Sequence, residues 1–155
     1  PNLLITKTLS KARSLAGLRV GYALGQPALI EALTRVKDSF NSYPIDRLGL
    51  IAGVESFKDD LYFKSTCKKV IDTKIKFTEG LKSLGFSVLP SGANFVFAKH
   101  VSVDGKIIVN QLREHGIVVR RFDNPERISS YVRFTIGSNE EIDTLLKALK
   151  LILSA

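Results

Sequence analysis

The longest pattern in the 155-residue chain is an amphipathic run from about Asp59 to Leu84. Its apolar side chains recur at steps of three and four residues, which predicts one continuous helix whose pattern is interrupted at Lys74. The members of this face are Phe63, Cys67, Val70, Phe77, Leu81 and Leu84. Gly85 is suited to end the helix as a C-cap. A helix of about 25 residues is roughly 37 Å long, enough to link two domains.

The segment before this helix predicts strands and shorter helices. Residues 3–6 are a short apolar run typical of a buried strand, and residues 19–25 are a second strand candidate with two glycines. Pro27 suits a first helical turn, and apolar residues at helical spacing continue to Phe40. Residues 45–56 predict a further helix.

The segment after Gly85 alternates between strand and helix patterns and predicts a compact α/β layer. Ser138 and Glu141 have the spacing of a capping box, which opens a final amphipathic helix. The expected strands cover 86–89, 94–98, 117–119 and 131–136, and a helix ending before Gly116 covers 106–115.

Composition limits the class of protein. Hydrophobic residues make up 45% and charged residues 25%, which is typical of a soluble globular domain, and no apolar stretch is long enough to cross a membrane. Cys67 is the single cysteine, so we expect a structural thiol in a reducing compartment, the cytoplasm. His100 and His115 have no partner at metal-ligand spacing, and no metal is expected.

The net charge of +8 indicates an anionic partner, which can be a nucleic acid, a membrane surface or a small phosphorylated molecule. The chain also lacks methionine and opens on Pro1 inside a strand-like run, without a secretory leader. We therefore expect it to be a piece of a longer polypeptide.

Two hydroxyls and two cations, from Thr8, Ser10, Lys11 and Arg19, fall within twelve residues. Hydroxyls and a fork-shaped guanidinium are suited to phosphate, and a lysine beside a cation can act as an amine nucleophile toward an aldehyde. Pyridoxal 5′-phosphate carries both groups. The alternative is an ordinary polar loop followed by a buried strand.

The lysine motif resembles a known family. Ser10-Lys11-Ala12, followed by the Leu15–Tyr22 segment, is similar to the Schiff-base lysine motif of fold-type I pyridoxal-phosphate aminotransferases, especially histidinol-phosphate aminotransferases. The resemblance continues through residues 91–95, 116–120 and 132–137, and so covers the whole chain in order.

The resemblance implies residue roles. Lys11 would be the catalytic Schiff-base lysine, and Thr8, Ser10 and Arg19 would hold the cofactor phosphate. In the second half of the chain, Arg133 would bind the substrate carboxylate and Arg120 the substrate phosphate. Asn94 is a further candidate for substrate binding. Without the resemblance, Arg133 could equally be an edge-strand arginine facing water, and Asn94 an ordinary turn residue.

The resemblance also implies an α/β fold in three parts. Residues 1–58 would be the C-terminal part of the large cofactor-binding domain, 59–85 the inter-domain helix, and 86–155 the small C-terminal α/β domain. The protein would be a homodimer that transaminates histidinol phosphate with 2-oxoglutarate.

Two departures from the family pattern stand out. Arg13 occupies a position that is usually aromatic, and the upstream residues that stack on and pair with the cofactor ring are not in this chain. We therefore do not expect the chain alone to transaminate. The alternatives are an aromatic aminotransferase, a threonine-phosphate decarboxylase-like enzyme, or a basic nucleic-acid-binding module.

Overall fold

The computed structural model describes residues 2–154 and divides into two compact units, Pro1–Cys67 (unit 1) and Lys68–Ala155 (unit 2). The boundary falls inside the longest helix. Unit 1 contains two strands and two complete helices, β1 (Leu4–Thr8), β2 (Gly21–Gly25), α1 (Pro27–Phe40) and α2 (Arg47–Lys58), followed by the start of α3 (Asp60–Ser83). Among the described residues, no helix has both the length and the apolar character needed to cross a membrane.

The strands β1 and β2 form an antiparallel ribbon in which Leu4 pairs with Gly25 and Thr8 with Gly21. Gly21 is required by close packing, because a Cβ there would come within 2.9 Å of the Lys7 carbonyl oxygen. The predicted strand is confirmed, but its predicted burial is wrong, since Ile5 is 40% exposed. A two-stranded ribbon cannot cover both of its own faces.

Unit 2 is built on a four-stranded antiparallel sheet in the order β3-β4-β6-β5. Its elements are β3 (Phe86–Leu89), β4 (Phe95–His100), α4 (Gly105–Glu114), β5 (Arg120–Arg121), β6 (Val132–Thr135) and α5 (Asn139–Ser154). Alternate side chains of β4 and β6 point to one face and join helical residues in a single core. The buried members are Phe77, Leu81, Phe86, Val96, Ala98, Ile108, Leu112, Val132, Phe134, Ile136, Ile142, Leu145, Ala148 and Leu149.

The predicted helix ends follow local signals. Helix α3 stops at Ser83, and Gly85 has a φ of +85°, the left-handed conformation that glycine adopts without steric cost. At α5, Ser138 Oγ accepts from the Glu141 backbone N–H at 3.3 Å, and Glu141 Oε2 accepts from the Ser138 N–H at 2.7 Å. The predicted capping box is therefore confirmed.

One predicted strand is wrong. Residues 117–119 are irregular, and the strand in this region is Arg120–Arg121. The reason is local, because the Ile117 N–H donates to the Leu112 carbonyl at 2.9 Å and so closes the C-terminus of α4. Backbone groups used in that closure are not available for a ladder.

Candidate functional site

The predicted site residues of unit 1 lie where β1 runs into a tight turn. Thr8 Oγ1 donates to Ser10 Oγ at 2.9 Å and accepts from the Ser10 backbone N–H at 3.1 Å. The Lys11 carbonyl then accepts from the Ser14 N–H at 2.9 Å, which places Lys11 at the start of the turn. The lysine side chain is exposed, and the Ser10 hydroxyl, an acceptor in this pair, retains its own proton for an outside acceptor.

Arg19 lies at the same end of the ribbon. The Leu9 N–H donates to the Val20 carbonyl at 3.1 Å, one step beyond the last ladder pair, so the chain before Val20 is held beside the Thr8–Ser10 segment. Arg19 has a φ of +54°, and its guanidinium donates to the Ala16 carbonyl at 3.2 Å. Most of its five donors remain available for an anion.

Arg13 occupies an aromatic environment. Its guanidinium carbon lies 4.2 Å from the ring centroid of Phe57 and 4.2 Å from that of Phe63, and a guanidinium N–H donates to the Ser56 carbonyl. Phe57 also meets Tyr22 edge-to-face at 5.7 Å. The cation that departs from the family pattern is therefore fully engaged on α2 and the start of α3.

The predicted site residues of unit 2 include two arginines on adjacent strands. Arg120 pairs with Arg133 across the β5–β6 ladder, and Phe97 pairs with Arg133 across β4–β6. Residues directly opposite each other share one face of a sheet, so both guanidinium groups belong to the face opposite the core. Because β6 is an inner strand, the interpretation of Arg133 as an edge residue is wrong.

Aromatic rings surround these two arginines. The Arg133 guanidinium carbon lies 5.3 Å from the ring centroid of Phe95 and 6.0 Å from that of Phe122, and Arg120 lies 4.9 Å from the Phe122 centroid. Arg133 Nε is buried without a hydrogen-bond partner. A buried guanidinium N–H without an acceptor is costly, so Arg133 is a candidate for contact with an anion.

Arg121 has a different environment from Arg120, as expected for neighbours in a strand. It donates to the Ser129 carbonyl and forms an ion pair with Asp123. Its side chain is largely buried, with 16% exposure, whereas Arg120 is exposed. The anion-facing candidate of the pair is therefore Arg120.

Asn94 lies on the loop before β4, with an exposed side chain and a carbonyl that accepts from the Ile136 N–H at 2.9 Å. The same loop is held by Lys74, whose Nζ donates to the Ser91 and Ala93 carbonyls at 2.7 and 3.0 Å. Sequence reasoning treated Lys74 only as an interruption of the apolar face of α3. That interruption was the available signal, because a cation on an apolar face needs acceptors.

The aromatic residues of the open sheet face were also missed. Phe95 and Phe97 alternate with the buried Val96 and Ala98, and Phe97 stacks on Tyr131 at 4.9 Å. The period-two pattern was visible in the sequence, but large apolar residues on both faces of a strand do not tell which face carries a site.

The four predicted residues of unit 1 thus lie at one end of the ribbon: Thr8, Ser10, Lys11 and Arg19. In unit 2, Arg120 and Arg133 are paired across two strands. The family profile described as aminotransferase class I and II matches residues 1–149. The chain therefore belongs to the aminotransferase class I and II family.

Curated proteins similar to this chain include histidinol-phosphate aminotransferases. The chain is 53% identical over 150 residues to histidinol-phosphate aminotransferase 2 of Thiobacillus denitrificans, covering 97% of this chain and 42% of that protein. It is 54% identical over 149 residues to histidinol-phosphate aminotransferase 1 of Pseudomonas aeruginosa, covering 96% of this chain and 42% of the relative. The chain therefore spans about two fifths of the length of these relatives.

Solved structures give the same fold. The histidinol-phosphate aminotransferase of Clostridium acetobutylicum matches with a TM-score of 0.88 at 27% identity, over 98% of this chain and 46% of that one. The enzyme of Sinorhizobium meliloti, solved with pyridoxal-5′-phosphate, matches with a TM-score of 0.83 at 28% identity, over 99% and 42%. A decarboxylase from Sulfurospirillum multivorans matches with a TM-score of 0.83 at 30% identity, over 99% and 40%.

Proposed function

We propose that this chain is the C-terminal half of a pyridoxal-phosphate-dependent aminotransferase that acts on histidinol phosphate and 2-oxoglutarate in histidine biosynthesis. The observation that carries the proposal is the exposed Lys11 at a tight turn, preceded by the paired hydroxyls of Thr8 and Ser10 and with Arg19 at the same end of the ribbon. Identities above 50% to histidinol-phosphate aminotransferases support the choice of substrate.

The residues of unit 1 fit the cofactor. Thr8 and Ser10 supply hydroxyl donors and Arg19 a guanidinium, the combination that recognises a phosphate dianion. Lys11 would supply the amine that condenses with the aldehyde, with the aldehyde oxygen leaving as water. The cofactor, when bound, provides the electron sink for carbanion chemistry at the substrate Cα. Once displaced by substrate, Lys11 Nζ would carry the proton to and from that carbon.

The residues of unit 2 fit the substrate. We assign Arg133 to the carboxylate of the amino or 2-oxo acid and Arg120 to the phosphate of histidinol phosphate, with Asn94 as a further substrate contact. Two facing arginines among aromatic rings support this assignment, because a planar guanidinium binds carboxylate or phosphate in a bidentate manner. In this proposal, the net positive charge of the chain attracts small anionic ligands rather than a nucleic acid.

The domain organisation, the cellular location and the oligomeric state that we propose all follow from membership of this family. Residues 1–58 would complete the large cofactor-binding domain, residues 59–85 would link it to the small domain of residues 86–155, and the whole protein would be a cytoplasmic homodimer. A single free cysteine is consistent with a reducing compartment.

The proposal is tested by borohydride trapping on the full-length polypeptide that contains this chain. Pyridoxal phosphate is added, the Schiff base is reduced, and the modified peptide is mapped by mass spectrometry. We expect selective labelling at Lys11, loss of that label in K11A, weaker labelling in R19A, and unchanged labelling in the control K7A, a lysine of the same ribbon. Labelling scattered over surface lysines would overturn the proposal.

A decarboxylase is the second candidate, because one solved structure of this fold is a decarboxylase. Both reactions would use the amine of Lys11. Product analysis separates them: transamination transfers the amino group to 2-oxoglutarate, whereas decarboxylation releases carbon dioxide and retains the amine.

A further inference from the structure

Arg13 lies two residues after Lys11, inside the same tight turn. The turn is closed by the Ser14 N–H, which donates to the Lys11 carbonyl at 2.9 Å, and Ser14 has a φ of +57°. Non-glycine residues enter this region at a cost, so the turn needs support from the surrounding structure. The conformation of the Lys11 backbone therefore depends on what holds the residues that follow it.

The backbone before the turn is held at Leu9. This residue is 2% exposed, its N–H donates to Val20 and its carbonyl accepts from the Leu15 N–H at 3.0 Å. These bonds fix the two ends of the loop. Its tip, from Lys11 to Ser14, is closed on itself by the bond from the Ser14 N–H to the Lys11 carbonyl, and side-chain contacts attach the tip to the neighbouring helices. Arg13 supplies such contacts on α2 and α3.

The Arg13 guanidinium contacts α2 and α3 at the same time. The guanidinium lies over two aromatic rings, at 4.2 Å from the centroids of Phe57 and Phe63, and donates to the Ser56 carbonyl at the end of α2. A planar delocalised cation can stack on rings and donate in its plane at the same time, which a lysine ammonium cannot do. Phe57 is itself held by Tyr22 of β2.

We propose that Arg13 is a positioning residue for Lys11, which fixes the turn so that the lysine amine is held in place to condense with the cofactor aldehyde, a step that would form a C=N bond and release the aldehyde oxygen as water. The inference rests on the proposed function. It also explains why a cation can occupy this position: the positive charge is stacked on rings and hydrogen-bonded, and it takes the place neither of Lys11 at the aldehyde nor of Arg19 at the phosphate.

The experiment separates covalent bonding at Lys11 from binding of the phosphate. In the full-length polypeptide, the rate of borohydride-trappable bond formation with pyridoxal phosphate is measured beside the dissociation constant of pyridoxamine phosphate, which has no aldehyde and cannot bond to Lys11. We expect R13M to slow bond formation about tenfold or more, because misplacing a reacting group by about 1 Å is costly. The dissociation constant of pyridoxamine phosphate should stay within about twofold.

Three further variants make the result specific. R13K keeps the charge but loses the stacked plane, so it should remain slow, and F57L removes one ring and should fall between R13M and the wild type. R47M removes an exposed arginine from α2 and should behave as the wild type. If R13M does not fold, R13K and F57L still decide the inference.

The outcomes distinguish this inference from the function on which it rests. Absence of Lys11 labelling in the wild type would overturn the proposed function itself. Wild-type labelling at Lys11 with equally fast labelling in R13M, or in both R13K and F57L, would overturn the role of Arg13 alone. A parallel loss of bond formation and pyridoxamine phosphate binding would show a general structural defect, which also contradicts a positioning role.

Discussion

Arg120 and Arg133 put two positive charges directly opposite each other on neighbouring strands. Like charges in this arrangement destabilise a strand pair, and leaving a donor such as Arg133 Nε buried and unpaired costs about 1–3 kcal/mol. An anion bound between the side chains would reverse both effects. The cost is therefore consistent with a binding function and is difficult to explain by stability alone.

At this scale we predict that R120A in the full-length polypeptide penalises phosphorylated substrate selectively. Loss of a charge-assisted contact of about 1.5–3 kcal/mol corresponds to a reduction in kcat/KM of roughly ten- to a hundredfold for histidinol phosphate. The kcat/KM for the non-phosphorylated analogue histidinol, measured with the same preparation, should change little.

The comparison within one variant is its own control, because a folding defect would reduce both activities together. Equal losses for the two substrates would contradict the assignment of Arg120 to the phosphate. Strand alternation alone does not choose between Arg120 and Arg121 as the site-facing residue, and the prediction of Arg120 came from the resemblance to the family. The choice depends on Asp123 and Ser129, whose positions beside Arg121 follow from the path of the loop rather than from strand alternation.

The capping box at α5 shows how an individual element is fixed by local chemistry. Ser138 and Glu141 satisfy each other's backbone N–H groups, and the acidic first turn complements the helix dipole. The pKa of Glu140 is lowered from its ordinary value by two hydrogen bonds. The larger effect comes from the backbone N–H of Glu140 itself, and the smaller one from the Ser138 hydroxyl.

We predict that S138A destabilises α5 by about 1 kcal/mol, the usual cost of losing an N-cap hydroxyl. Hydrogen exchange at the first-turn amides of α5 should accelerate correspondingly. S138A removes only the part of the lowering of the Glu140 pKa that the Ser138 hydroxyl causes. A lowered pKa contributes stability above the unfolded pKa that is lost as the pH falls through the folded pKa, so the difference in stability between S138A and the wild type should narrow in acid.

S65A is the matched control for S138A. Ser65 is exposed inside α3, where alanine has the higher helix propensity, so this variant should not lose stability. No change in exchange at α5 in S138A would contradict the capping role.

Elements with a strong local signal were predictable, and their burial was not. The helix expected from about Asp59 to Leu84 spans Asp60–Ser83, because its apolar period and Gly85 are both local features. The strand expected at 117–119 is not formed, because the Ile117 N–H closes α4, and the ladder begins at Arg120. The candidate site residues of unit 1 were proposed from a motif, whereas the contacts of Arg13 and Lys74 depend on tertiary structure that no spacing reveals.

At the scale of the whole molecule, buried apolar surface is distributed unevenly. Among residues 2–154, the buried apolar side chains other than Leu9 all belong to unit 2. Unit 1 instead exposes several large apolar residues, which include Phe40 at 86%, Tyr43 at 90%, Leu48 at 77% and Leu61 at 85%. Burying one such side chain contributes about 1.5–3 kcal/mol, so unit 1 lacks the stabilisation that unit 2 has within these residues.

We therefore predict different hydrogen-exchange protection in the two units when residues 1–155 are studied alone. Amides of β4 and β6 should exchange slowly, by opening of the unit 2 core, whereas those of α1 and α2 should exchange by local opening with little protection. This chain covers less than half of the length of the relatives. In the full-length polypeptide, the amides of α1 and α2 should become protected, because further residues would cover the apolar faces of these helices. The unit 2 amides serve as the internal control, since their protection should change less. Equal protection of α1 and β4 in residues 1–155 alone would contradict this account, because unit 1 would then hold its fold without covering those side chains.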